Sequence, residues 1–308
     1  MKKIYLSLLL LVGLFTLASC SGKKEVNVTY QEANQMLESV NSEEMLEDVF
    51  SLKGNFKLDV QNTMKIGEEE TTTTVKGSGS VELYIKATTF EEFYVVGKLN
   101  LDVESTEDDK TTSNKLNGNL YIIKDTLYLD GTLKSKVTTN GATNESNTTI
   151  KMKQSEVVTK EDFDALKESF STEGSPINPK LTSESEFKLY KVSGGHLLET
   201  ELSLDELFGF IGFISGGVGD AMEGMKETGE NLLTLGITFS DVIHKIELNV
   251  KLNLEIDMPS DFISVKGSYH IEGNLSISTK SKAPTMPNMD TLNSYPEGTL
   301  DDINPLSP

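Results

Sequence analysis

The chain has 308 residues, with 28 basic and 48 acidic side chains, a formal net charge of -20, one cysteine and no tryptophan. Every basic residue is lysine, so there is no guanidinium fork to grip phosphate or carboxylate at two points, and so acidic a chain is repelled by phosphate backbones. These facts argue against nucleic-acid binding, and a single cysteine rules out an internal disulfide framework.

The chain opens with Lys2 and Lys3 and then an uncharged, leucine-rich stretch over residues 4–18. That stretch is shorter than the roughly 20 apolar residues needed to span a bilayer, which marks it as an export signal. It ends in Leu17-Ala18-Ser19-Cys20, which resembles the bacterial lipobox. The resemblance implies cleavage before Cys20, a diacylglyceryl group on its thiol and anchoring to the outer face of a membrane. Residues 1–19 are then the signal peptide and 20–28 a lipidated polar tether; losing Lys2 and Lys3 takes the charge from -20 to -22.

Thr29-x-x-Glu32 is a capping box, and Ala33, Met36, Leu37 and Val40 follow at helical spacing, with a second run at Met45, Leu46, Val49 and Phe50. These predict one or two amphipathic helices. From Ser51 the period changes to two, the mark of strands with one buried face. About eleven strands are expected, six over residues 53–158 and five over 185–280, with a helix at 159–170 carrying Phe163, Leu166 and Phe170 between the groups. A second capping box, Ser203-x-x-Glu206, opens a further helix. The polar stretches 104–113 and 138–148 read as strand connections, and residues 283–308, which hold most of the eight prolines, as a disordered tail. The whole body, 29–282, is one mainly β domain.

Parity limits how the strands pair, because a one-residue slip turns an apolar set toward water. A turn at Lys124-Asp125 sets Ile122 opposite Leu127, Leu120 opposite Leu129 and Tyr121 opposite Tyr128. A turn at Ala87-Thr88-Thr89 sets Val81 opposite Val95 and Gly79 opposite Gly97. A short loop around Pro259-Ser260 sets Leu254 opposite Val265, Leu248 opposite Ile271 and Leu252 opposite Gly267.

The order of lipobox, amphipathic helix, about eleven long antiparallel strands and inserted helices resembles the LolA/LppX-type lipoproteins and lipoprotein carriers, and the hairpin over residues 120–131 is similar to hairpins in their sheets. The resemblance implies a strongly curved, incomplete barrel with helices on its concave side and room for acyl chains between them. The lack of arginine and tryptophan departs from several members, so no individual binding residue is carried over.

No catalytic pattern is present. His196, His244 and His270 match no metal-ligand spacing, and Gly77-Ser78-Gly79-Ser80 sits in a strand pattern instead of opening a helix. Glu68-Glu69-Glu70 and Glu107-Asp108-Asp109 read as solvated hairpin tips without the offsets of a calcium loop. Two features point to binding. Glycines recur on the apolar parity, Gly97 and Gly267 among them, where they either leave space or let a curved sheet close up. Residues 207–218 are uncharged and include Phe208, Phe210, Ile211 and Phe213, with Met222 and Met225 nearby; such a segment packs in the core or lines a lipid site. The expected function is a non-enzymatic, membrane-anchored lipoprotein binding a lipid or acyl chain without cofactor or metal. The alternative is a surface scaffold or interaction lipoprotein whose own side chains fill its interior.

Overall fold

The computed structural model describes residues 23–40, 46–171, 181–203, 225–258 and 263–299. Its strands are β1 (Lys24–Val26), β2 (Phe50–Ile66), β3 (Glu69–Lys86), β4 (Tyr94–Glu107), β5 (Lys110–Ile123), β6 (Thr126–Thr139), β7 (Ala142–Gln154), β8 (Phe187–Val192), β9 (Gly195–Glu201), β10 (Met225–Glu227), β11 (Leu232–Phe239), β12 (Ile243–Met258) and β13 (Ile263–Ser278). The helices are α1 (Tyr30–Glu38), α2 (Lys160–Ser171) and α3 (Met289–Asn293). The strands form one antiparallel sheet in the order β1-β8-β9-β11-β12-β13-β2-β3-β4-β5-β6-β7, with β10 added beside β12. The expected mainly β fold holds, with thirteen strands among the described residues in place of about eleven. The extra two include β1, which pairs Val26 with Leu189, so residues 24–26 of the expected tether belong to the sheet.

Alternation puts one apolar face on every long strand, and helices cover it at one end. Leu189 of β8 and Val95 of β4 are seven strands apart, roughly 34 Å in a flat sheet. Both belong to one cluster with Ala33 and Leu37 of α1, Phe163 of α2, and Ile237, Phe239, Ile246 and Ile277 from the strands between, so the sheet curls around the helices without closing. Thr29 caps α1 as expected, its hydroxyl accepting from the Glu32 N–H while Glu32 accepts from the Thr29 N–H at 2.8 Å. Thr159 and Asp162 make the same exchange at α2. The Thr29 N–H and hydroxyl hold the Glu32 carboxylate below its usual range, and the Thr159 hydroxyl and N–H do the same for Asp162. Asn34 bonds both the N–H and the carbonyl of Leu181, tying α1 to the chain entering β8. The second run of the first helix does not form a helix in its described part, since Phe50 already begins β2.

The β5–β6 hairpin has the expected register, with Ile122 opposite Leu127, Tyr121 opposite Tyr128 and Gly118 opposite Gly131. Two other hairpins keep the expected parity but slip by four residues. Val81 pairs with Leu99, not Val95, because residues 87–93 form a longer connection with a 3-10 turn at Phe90–Glu92, whose Phe90 and Phe93 rings lie 5.8 and 5.4 Å from Phe163. Leu254 pairs with Tyr269, not Val265, and Leu248 with Leu275, not Ile271, the last described pair being Met258 with Val265. Gly79 and Gly97 accordingly face Leu101 and Leu83, and Leu252 faces Ile271.

The polar stretches at the far end are strand, not loop, since strands run to Glu107 and Thr139 and resume at Lys110 and Ala142. Cross-strand hydroxyl pairs hold these ends together: Thr63 with Thr72 at 3.0 Å, Thr106 with Thr111 at 3.3 Å and Thr138 with Thr143 at 3.0 Å. The expected disordered tail is also corrected over its described part. Ser281 bonds Val49 and Ser51, and the chain crosses to the outer face of β5–β7, where Asn288 caps α3 and Leu292 and Tyr295 bury themselves against Tyr128. Tyr295 donates to Asp130 at 2.7 Å, Tyr128 donates to Asn293 at 2.9 Å, and Lys153 exchanges backbone bonds with Pro296 and Gly298.

Candidate functional site

The part of the apolar face beyond the helices is the candidate site. On β2 the inward series runs Phe50, Leu52, Gly54, Phe56, Leu58, Val60, Asn62, Met64 and Ile66. Phe50 is 4% exposed under the helices and Val60 8% exposed farther along, whereas Phe56 is 40%, Met64 46% and Ile66 55% exposed. Two further apolar clusters flank this strip. On one side are Leu233, Leu248, Leu252 and Leu254, with Tyr269, Ile271 and Leu275 partly covered beside them. On the other are Leu116, Leu129, Ile150 and Met152, with Leu99, Leu101 and Leu133.

Glycines shape the floor between the clusters. Phe56 stands between Gly79 on β3 and Gly273 on β13 in the register, and a Cβ on Gly79 would come within 2.4 Å of its ring. The missing side chain is thus the seat of the Phe56 ring. From residue 246 to 256 of β12, 265 to 277 of β13 and 52 to 66 of β2, no inward position is charged. The same holds over residues 71–85 of β3, 95–105 of β4, 112–122 of β5 and 127–137 of β6. Toward the far turns the face becomes polar on β3–β6, through Thr73, Ser105, Thr112, Asn114 and Ser135. Such a surface offers dispersion contact and burial of apolar area, with no acid, base or nucleophile.

Charge chemistry lies outside this face. Among the described residues no three His, Cys, Asp or Glu side chains come together as a metal site. His270 pairs with Asn253 at 2.7 Å and Glu272 at 3.3 Å on the outer side, and His244 lies 2.9 Å from Ser240. The Lys53 ammonium and the Tyr84 hydroxyl hold the Glu82 carboxylate below its usual range on the exposed surface. Burial, and then the bond to Asp130, push the Tyr295 phenol up to about 12. A cleft of about 820 Å³ opens beside β1, β8, β9 and β11, but its lining includes Lys23, Glu25, Lys188, Glu199, Glu201 and Glu247, so it is not the apolar site expected.

The residues predicted from sequence fare unequally. Phe208, Phe210, Ile211, Phe213 and Met222 lie outside the described residues, as does Cys20. Met225 is in β10 opposite Ile256. Gly97 and Gly267 lie on the inner face but leave no space: a Cβ on Gly97 would meet the Glu82 carbonyl oxygen at 2.0 Å, and one on Gly267 would meet Asn62 Oδ1 at 2.3 Å and Ile256 at 2.9 Å. They are points of close approach in a curled sheet. Phe56, Leu58 and Leu101 were not singled out from sequence. Their signal was the glycine flanking Phe56, readable only once the register is known.

No family model matches the chain, and no curated protein is found similar to it. Among solved structures, the translocator domain of autotransporter NalP from Neisseria meningitidis is 9% identical, with 82% of this chain and 95% of that one covered, at a TM-score of 0.27. The outer membrane protein OprG from Pseudomonas aeruginosa is 10% identical, with 74% and 95% covered, at a TM-score of 0.14. The MucA/MucB complex of Pseudomonas aeruginosa gives 8%, 82%, 100% and 0.07. These scores are too low to support a shared fold, let alone a shared function.

Proposed function

We propose that this chain is a lipid-anchored envelope lipoprotein that binds a hydrophobic ligand, such as a lipid or acyl chain, along the uncovered part of its inner face. One observation carries the ligand: an uncharged apolar face that, among the described residues, helices cover at one end only, leaving Phe56 40% exposed between two apolar clusters. Covering the exposed 40% of that ring contributes about 1 kcal/mol, and an occupant with an alkyl chain is the natural partner. The lipobox residues Leu17-Ala18-Ser19-Cys20 carry the anchor. Cys20 precedes β1 by four residues, about 14 Å of extended chain, which would hold the β1 edge close to the membrane surface.

A scaffold reading, with the interior filled by the protein's own side chains, is favoured by the tight approach at Gly97 and Gly267. Lipid extraction of the purified protein separates the two. Under the ligand reading, mass spectrometry finds a stoichiometric lipid that Phe56→Asp removes while the fold persists; a lipid-free protein whose stability Phe56→Asp lowers leaves the scaffold. For the anchor, Cys20→Ser is expected to abolish incorporation of radiolabelled fatty acid and leave the precursor uncut. Normal labelling in that variant would overturn the anchor.

A further inference from the structure

The geometry points to β7 as a self-pairing edge through which two copies of this chain join their sheets, centred on Thr148. The two edges of the sheet are finished differently. One ends in β1, three residues long. The other is β7, thirteen residues, paired to β6 without a register shift, and its residues 142–149 are all exposed. Natural edges are blunted by proline, by bulges, by lysine or by shortness. Over residues 142–150 β7 has none of these.

The backbone phase is fixed by two observations. Lys153 donates its N–H to Pro296 and accepts from Gly298, so its peptide groups point away from β6. The two-residue turn Asn140-Gly141, with φ of 52° and 78°, closes the β6–β7 hairpin on Thr139 and Ala142, so even residues bond β6 and odd ones face outward. Glu145, Asn147, Thr149 and Lys151 therefore present free outward N–H and C=O groups. The tail takes the next outward position, Lys153, so an added strand pairs no farther than Lys151.

An antiparallel second copy centred on Thr148 matches this stretch in both phase and charge. It sets Glu145 opposite Lys151 of the second copy and Asn147 opposite its Thr149. Each such pair exchanges two backbone bonds, and the two-fold repeats them, for about eight in all. Glu145 lies 3.3 Å from Lys136 of its own chain, and Lys151 sits 5.7 Å from the Tyr295 ring. Both are on the outer face and in reach of the opposite charge across the junction, whereas a centre on Glu145 or Lys151 would oppose like charges. Inner and outer faces are preserved because the sum of paired numbers is even. A seven-residue edge is small for a protein interface, so the association is weak in dilute solution and is favoured where copies share one surface.

Cysteine scanning of the full chain in membranes of the producing cells tests this. Asn144, Ser146, Thr148, Ile150 and Met152 are each replaced by Cys, with the chain carrying only Cys20 as baseline. After mild oxidation the disulfide-linked dimer is expected to peak at Thr148→Cys, the one position facing itself across a non-hydrogen-bonded pair. No dimer above baseline at any position, or a peak at 144 or 152, overturns the proposal. In the Thr148→Cys chain, Asn147→Pro removes an outward N–H with no partner among the described residues and is expected to lower the dimer about tenfold. An undiminished yield contradicts the pairing. Should Asn147→Pro lower the protein level, charge exchange decides: Glu145→Lys and Lys151→Glu each reduce the dimer alone and restore it together. Failure to restore also overturns the proposal.

Discussion

At the end of the sheet where α1 and α2 pack, the inner face is finished as a protein core: Ile237 is 0%, Ala33 2% and Phe163 3% exposed, and the strands there lie against helix side chains. At the other end the same strands carry the same alternation, yet Phe56, Met64 and Ile66 are 40% to 55% exposed. Among the described residues the difference is one of cover and not of strand chemistry: Val60, Leu252 and Leu254 are buried farther along the sheet, and under the ligand reading the exposed side chains beside them are what an occupant would cover.

The largest effect that would sharpen this contrast is expected from aromatic truncation. Phe163→Ala, which removes a ring packed on Phe90 and Phe93, should cost about 3 to 5 kcal/mol in denaturant unfolding, and Phe56→Ala less than about 1 kcal/mol. Equal costs would mean that the open end is covered after all. Next come the glycines. Gly97→Leu forces a Cβ into the Glu82 carbonyl and should cost about 3 kcal/mol or more, while Gly77→Ala, whose Cβ meets Leu58 at 3.7 Å, should change stability by less than about 0.5 kcal/mol.

The tail braces the helix end from outside, and its grip is pH-dependent. Tyr295 has its pKa raised from 10.0 to about 12, so folding favours the protonated phenol. That contribution is fully present below pH 10 and is lost as pH rises from 10 toward 12, at up to about 1.4 kcal/mol per pH unit. Thermal unfolding across that range should show the loss, and Tyr295→Phe should remove this part of the pH dependence. An effect of opposite sign lies beyond the helices. Asn62 Oδ1 is buried without a hydrogen-bond partner among the described residues, so Asn62→Ala should raise stability by about 1 kcal/mol, read from the denaturant midpoint.

Parity was legible in the sequence and register was not, for reasons local to each turn. Lys124-Asp125 is a two-residue turn with Lys124 at φ 62°, so counting outward from it reaches Tyr121–Tyr128 correctly. Between β3 and β4 the count fails because Phe90 and Phe93 leave the alternation to pack on α2, a tertiary contact that two-residue periodicity does not encode. The docked tail was missed because a five-residue helix and a strap have no period; its anchors are Leu292 and Tyr295, isolated in polar sequence. At the site, the glycines were visible but their meaning was inverted, since an absent side chain reads as space until the neighbouring strand, or the Phe56 ring, is placed in it.

The central claim, that the uncovered inner face holds a lipid, is tested most directly by alternation. A photo-crosslinking amino acid is placed at Phe56 or at Lys57, adjacent on β2 but on opposite faces of the sheet, and the full chain is irradiated in its membrane. The account predicts lipid adducts at position 56 and few at 57; adducts at neither position, or equally at both, would contradict it.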